Sequence, residues 1–506
     1  MEAQRDATRA LMRGYERIPG WLVPPFLVGA VLALGGAYWD DATHTEKGRD
    51  SFFIPPHIAL YSGVALAGAG LGLWALLYVR EHGLRAIREQ RSLVLALVTI
   101  GVTLASGPID NFWHLAFGRD AVLWSPPHML GIVGTAGIAV AVLVELMRSE
   151  TRWAVALRPL AGGMILAALA VSVMEYDTDV PQFAVVWYLP VLALASALAL
   201  GLVKVVNPAR FAATAAAAVH LTFIGAVALF LAAEGFDTPK LPLVIMPALV
   251  LDLLVARAVA PPVVAAAYVG ALYAAYLPLL DLTGNGVRLD GSDVVVGAPI
   301  AFAAVLLVLS LIRPRRRAMR RGPALVAGVI VALQLSSSVA WAHDPGQGTL
   351  VGSVDLTARI VGNQARVTGV PHLGKSVQPV GLVARRAGVT EHARLARRGA
   401  HFAGDIGLPQ GGRWFVYMEL RRRGRLVESW LPVKVGEDNR HFEKPGRFAY
   451  LSERHSSSAL KWIVGMLVYG VVAGLLVAIA RLARGITPDG ERRRTGTAAS
   501  ASTGSG

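Results

Sequence analysis

Twelve apolar runs punctuate the chain, near positions 20–38, 58–79, 92–109, 129–147, 153–174, 183–203, 211–233, 241–258, 262–281, 294–312, 323–342 and 459–481. Each is close to the roughly 20 residues that carry a helix across a bilayer. The polar connections between them alternate in charge. Basic clusters fall at Arg80 to Arg91, Arg148 to Arg152, Lys204 to Arg210, Arg257, Arg313 to Arg321 and Arg481 to Arg494. Acidic ones fall at Asp40 to Asp50, Asp110 to Asp120, Glu175 to Asp179, Glu234 to Asp237 and Asp281 to Asp293. Lys and Arg mark the cytoplasmic side. The pattern predicts a mainly α, polytopic membrane bundle of about 12 spans in the cytoplasmic (inner) membrane, with both termini cytoplasmic.

Between residues 343 and 456 the period changes from helical to alternating. Thr349 to Leu356, Gln364 to Thr368 and Trp414 to Leu420 alternate apolar with polar positions, and Gly- and Pro-rich turns separate them. Short strands at this spacing predict a small β-sandwich, placed outside the membrane by the charge pattern. Ahead of it stands a block of arginines, an apolar run and then Ala340-Trp341-Ala342 before His343. That segment reads either as an uncleaved span or as an internal signal-like sequence cleaved after Ala342, which would leave His343 with a free amino group. The predicted organisation is a lead-in at 1–19, a four-helix unit at 20–147, six further spans at 148–322, the signal-like segment at 323–342, the sandwich at 343–456, a final span at 457–484 and a disordered tail at 485–506.

Composition agrees with the membrane class. Charged residues make up only 16% against 54% hydrophobic, and mean hydropathy is +0.51, whereas soluble domains carry roughly a quarter charged residues. The net charge of +15 sits largely at cytoplasmic helix ends such as Arg313, Arg315, Arg316 and Arg317, so topology accounts for it and nucleic acid is not an expected partner. The chain has no cysteine. Disulfides, thiolate metal sites and cysteine-held clusters are therefore excluded, and a bound metal must use His, carboxylate, Met or backbone oxygen.

Two stretches about seventy residues apart share one ligand pattern. The first runs Asp40, His44, Gly48-Arg49-Asp50, Pro55-Pro56-His57; the second runs Asp110, His114, Gly118-Arg119-Asp120, Pro126-Pro127-His128. Residues at i and i+4 share a helix face, so each Asp/His pair can aim at one point. Pro is tolerated in a helix's first turn, so Pro-Pro-His predicts the start of the next helix, folded back to supply a third ligand. Two imidazoles and a carboxylate suit copper, zinc or non-haem iron and leave coordination positions open. Single Asp-x3-His pairs also occur as polar caps at the lipid boundary. Four of the twelve histidines in two matched patterns, where ionisable groups are costly, favour a metal.

Other polar residues are less distinctive. His220 and Asp252 read as a polar pathway or as core groups satisfied by a neighbouring helix. Glu175, Asp177, Asp179, Glu234 and Asp237 read as relatives of the first unit or as caps on short loops. Phe112, Trp113, Phe117 and Trp124 fit an interfacial belt or a hydrophobic pocket. His82 reads as solvated.

The pattern Asp40-x3-His44-x12-His57, followed by Asp110-x3-His114-x13-His128, resembles the C subunit of the copper membrane monooxygenases, the particulate methane and ammonia monooxygenases. The resemblance implies one copper site from Asp40, His44 and His57 and a second from Asp110, His114 and His128. The family has Asn where this chain has Asp110. His343 behind Ala340-Trp341-Ala342 resembles the mature N-terminus of that family's periplasmic B subunit, but the His-x-His pair of that subunit is lacking here. The function implied is oxidation of a small apolar substrate by oxygen, with a quinol or redox protein as electron donor. The alternative is a copper transport, storage or delivery protein without catalysis. The lipid bilayer is the expected surroundings, and a homo-oligomer is compatible with either reading.

Overall fold

A computed structural model describes residues 17–46, 53–117, 123–279, 287–312, 347–374, 376–436, 441–452 and 458–486. The apolar runs form α1 (Val23–Glu46), α2 (Pro55–His82), α3 (Arg91–Phe117), α4 (Pro126–Met147), α5 (Arg152–Ala170), the short α6 (Met174–Asp177), α7 (Tyr188–Val206), α8 (Ala212–Ala233), α9 (Ile245–Ala256), α10 (Pro261–Leu279), α11 (Gly291–Ile312) and α12 (Ser458–Ile486). Ten of the described helical segments are long and apolar enough to cross a membrane, which marks a lipid-embedded protein. The bundle is centred on α4, α5 and α7, whose apolar windows are mostly buried, while the other helices turn about two thirds of theirs outward.

The expected span at 241–258 is shorter than predicted. Its helix, α9, has only 12 residues, a rise of about 18 Å against a hydrocarbon core of about 30 Å. Residues 236–244 are neither helix nor strand. Lys240 is nevertheless buried and donates its backbone N–H to the Asp177 carbonyl at 2.8 Å. Irregular backbone is tolerated in a membrane protein when protein rather than lipid surrounds it, and Pro242 discourages helix there. The predicted segment at 323–342, with His343, lies outside the described residues.

Close helix approach fixes the two hairpins that carry the ligand pattern. A Cβ on Gly36 of α1 would lie 2.7 Å from the Leu60 nitrogen of α2, and one on Gly29 would lie 2.7 Å from the Gly63 carbonyl. In the second hairpin a Cβ on Gly131 of α4 would lie 2.8 Å from Ser106 Oγ of α3. Small residues let membrane helices touch along their backbones, and here they do so from about one to three turns away from the candidate ligands.

Among the described residues the alternating region forms nine antiparallel strands: β1 (Gln347–Val361), β2 (Gln364–His372), β3 (Val377–Arg386), β4 (Val389–Ala393), β5 (Ala396–Arg398), β6 (His401–Gly407), β7 (Gly412–Arg422), β8 (Arg425–Val435) and β9 (His441–Ser452). They hydrogen-bond in the order β4-β3-β7-β8-β9-β1-β2-β6-β5. The expected sandwich is therefore one sheet curled on itself. Register shifts in the β1–β9 and β3–β7 pairs bend the strands, and Gly404 of β6 comes against Leu382 of β3 and the Arg394 carbonyl. Trp414, Val416, Met418 and Leu420 point into the curl and are buried, as the alternation predicts.

The sheet sits on the bundle at the end bearing Asp40 and His44. The β3–β4 turn has positive φ at both Ala387 (50°) and Gly388 (80°), the geometry of a tight hairpin. Its Ala387 N–H donates to the Pro181 carbonyl at 2.9 Å. Beside it, Arg386 pairs with Asp179 at 2.7 Å, both side chains 4% exposed. The Arg413 N–H donates to the other Asp179 oxygen at 2.9 Å, and its guanidinium pairs with Asp237. Asp179 adopts a left-handed φ of 60°, which Asp tolerates. The carboxylates of these two loops therefore anchor the sheet, a role beyond loop capping.

Candidate metal centre

Asp40 and His44 lie one turn apart on α1, and α2 folds back so that His57 meets them. Ile54 is extended before α2, with φ −88° and ψ 154°, and Pro55-Pro56 open the helix. His57 Nε2 lies 2.9 Å from Asp40 Oδ1 and His44 Nε2 lies 3.5 Å from the same oxygen. The two imidazole rings are 5.4 Å apart at 69°. All three ligand atoms fall within 4.8 Å of one another. Bonds of about 2.0–2.1 Å to a tetrahedral ion hold ligand atoms about 3.3 Å apart, so small side-chain shifts suffice and the donor set fits a late first-row metal. The side chains are 17–23% exposed, which leaves an approach from outside.

The second hairpin repeats part of this geometry. Ser125 is extended with φ −64° and ψ 146°, Pro126-Pro127 open α4, and His128 Nε2 lies 3.2 Å from Asp110 Oδ1. His114 stands four residues beyond Asp110 on α3; its side chain lies outside the described residues, as do Gly48-Arg49-Asp50 and Gly118-Arg119-Asp120. The final helix packs here. Lys461 lies 5.7 Å above the Trp113 ring, and Tyr469 donates to the Trp124 carbonyl.

Three residues that the sequence reading passed over belong to this region. Tyr61, one turn along α2, has its ring 5.7 Å from that of His57 and lies within electrostatic reach of both Asp40 and Asp110. Glu46 ends α1 and accepts the Asp237 N–H at 3.0 Å. Arg413 arrives from the sheet, 3.8 Å from Glu46. The i,i+4 spacing from His57 to Tyr61 was the one local signal; the other two depend on contacts between distant parts of the chain.

No protein-family model, no curated protein and no solved structure matches this chain.

The other polar residues separate by their surroundings. Asp252 is buried and paired with Lys204 at 2.9 Å, and accepts from the Thr214 N–H and hydroxyl, each at 2.8 Å. It caps the start of α8 from the neighbouring α9, a structural task. His220 is fully buried, and neither ring nitrogen has a hydrogen-bond partner among the described residues. His82 stacks on Tyr78 at 4.6 Å, so it is more than solvated. His372 pairs with Asp355 at 2.7 Å on the exposed sheet surface. Among the described residues, Asp40, His44 and His57 are the one trio of His, Asp or Glu close enough to share an ion.

Proposed function

We propose that this chain is a copper-binding protein of the cytoplasmic (inner) membrane, related in its site to the copper membrane monooxygenases, that oxidises a small apolar substrate with oxygen at paired Asp/His/His groups. The observation that carries the proposal is the meeting of Asp40, His44 and His57 across one glycine-packed hairpin. The Asp110–His128 pair supports a second, similar group, completed by His114. Copper held there would supply the one-electron steps that link oxygen to substrate. The chain's own residues orient that chemistry. Asp40 offsets the positive charge and fixes the imidazoles, while the apolar bundle supplies a route for an apolar substrate from the bilayer. The balance is substrate C–H plus oxygen plus quinol giving alcohol, water and quinone; a reduced redox protein could replace the quinol. Both termini cytoplasmic and the sheet outside is the orientation that the Lys and Arg distribution favours.

Copper transport or delivery needs ligands that continue through the membrane. Asp252 is committed to Lys204 and Thr214, and His220 lies in an apolar stretch with no hydrogen-bond partner among the described residues. That favours a fixed site over a conduit. The exposure of the trio is the feature that keeps storage or delivery in competition. Copper-loaded membranes containing the chain, given a quinol, labelled oxygen and a series of small hydrocarbons, separate the readings. Labelled alcohol that vanishes in His57→Ala is expected. Stoichiometric copper without labelled product would leave storage or delivery standing.

A further inference from the structure

The end of α1 is pinned by parts of the chain far away in sequence. Glu46, two residues past His44, accepts the Asp237 N–H at 3.0 Å and lies 3.8 Å from the Arg413 guanidinium, which itself pairs with Asp237. The Arg413 backbone is fixed in turn, its N–H donating to Asp179 Oδ2 at 2.9 Å and its carbonyl accepting from Arg386 at 2.7 Å. On the other flank Asp41 lies close to Thr178, whose hydroxyl donates to the Met174 carbonyl at 2.9 Å. At about 100° per residue, Asp41 and Glu46 lie about 100° and 240° round the helix from Asp40. His44 is only about 40° away. The Glu46 anchor therefore holds a side of α1 that the candidate ligands do not use.

We infer that Arg413 is a positioning residue for the first metal group: through Glu46 and Asp237 it holds the last turns of α1 at the spacing from His57 that one ion requires. The inference rests on the reading of Asp40, His44 and His57 as ligands. It makes the outer sheet part of the metal centre's support rather than a separately tethered module. Metal sites are sensitive to such support because ligands must be held to within about 0.5 Å. Groups that orient ligands typically change metal affinity by about 10–100-fold when removed.

The test uses the full-length chain in lipid nanodiscs, in a His128→Ala background so that the first group dominates. Copper(II) alone is the probe. Arg413→Gln is expected to shift the copper paramagnetic resonance signal and to speed copper release to a chelator by about 10-fold. Arg413→Lys, which keeps a charge, should recover part of the loss. Native circular dichroism with an unchanged signal and release rate would overturn the inference. Should Arg413→Gln fail to fold, Glu46→Gln serves, since it retains an acceptor for the Asp237 N–H and loses only the charge. It is expected to move both readouts in the same direction, and no movement would be equally damaging. A parent chain that takes up no copper removes the metal reading instead. Hydrogen exchange across residues 40–46 then judges the clamp without metal: faster exchange in Arg413→Gln upholds it, and equal exchange defeats it.

Discussion

Replacing Arg386 by alanine should loosen the sheet from the bundle, and the geometry sets how much. Arg386 donates to Asp179 Oδ1 at 2.7 Å, to the Asp179 carbonyl at 3.3 Å and to the Arg413 carbonyl at 2.7 Å. Both members of the ion pair are 4% exposed, so water can replace little of what is lost. Asp179 would keep the Arg413 N–H and otherwise become a buried, poorly compensated carboxylate. Removing one partner of such a pair costs about 3–5 kcal/mol, against about 0.2–1 kcal/mol for an exposed pair. A loss of about 3 kcal/mol is roughly a hundredfold change in the docking equilibrium. Hydrogen exchange at Ala387, whose N–H bonds to Pro181, reads that equilibrium directly. Combining Arg386→Met with Asp179→Asn should cost less than the sum of the single changes, because the pair is then neutral. A single-variant effect below about 1 kcal/mol, or strict additivity, would refute the buried-pair argument.

Three further outcomes follow from other contacts. A Cβ on Gly63 would collide with the backbone of Gly29 and Ala33, so Gly63→Val should cost at least about 1–3 kcal/mol in thermal unfolding and lower metal retention, while Gly72→Ala, with open space around it, should do neither. Asp252→Ala leaves Lys204 and the start of α8 without their partner and should destabilise by about 3–5 kcal/mol with metal content per folded chain unchanged, measured on the detergent-resistant fraction. Asp290 precedes α11, where the Ser292 hydroxyl and the Asp293 N–H hold its carboxyl below the usual carboxylate range. Its folded pKa lies under the unfolded one, so its stabilisation is present above about pH 3.9 and is lost as pH falls through the lower folded value; melting of Asp290→Asn should lack that acid-side dependence.

The bundle was largely legible because lipid forces its signal into the composition: long apolar runs, and Pro-Pro before α2 and α4. The meeting of Asp40, His44 and His57 was legible for a local reason, since an i,i+4 pair and a helix start need only a short turn between them. Alternation in Trp414 to Leu420 likewise announced a strand. What stayed hidden depends on contacts remote in sequence. Arg413 meets Asp237 across 176 residues and Asp179 across 234, and nothing local distinguishes the buried Arg386 from the half-buried Arg385 beside it. The sheet's closure depends on register shifts and a close approach at Gly404, which alternation cannot encode. The shortened α9 escaped because hydropathy counts Leu241 to Val244 as span, whereas Pro242 and the buried Lys240 keep that stretch out of helix.

The central claim is that Asp40, His44 and His57 close on one metal ion. Elemental analysis of the purified full-length chain, with copper paramagnetic resonance on the same sample, measures it most directly. The account predicts copper in the parent chain with nitrogen hyperfine structure from imidazole, and loss of about one equivalent in either His44→Ala or His57→Ala with folding intact. Equal copper in the parent and in both variants, or none in any of them after copper loading, would contradict it.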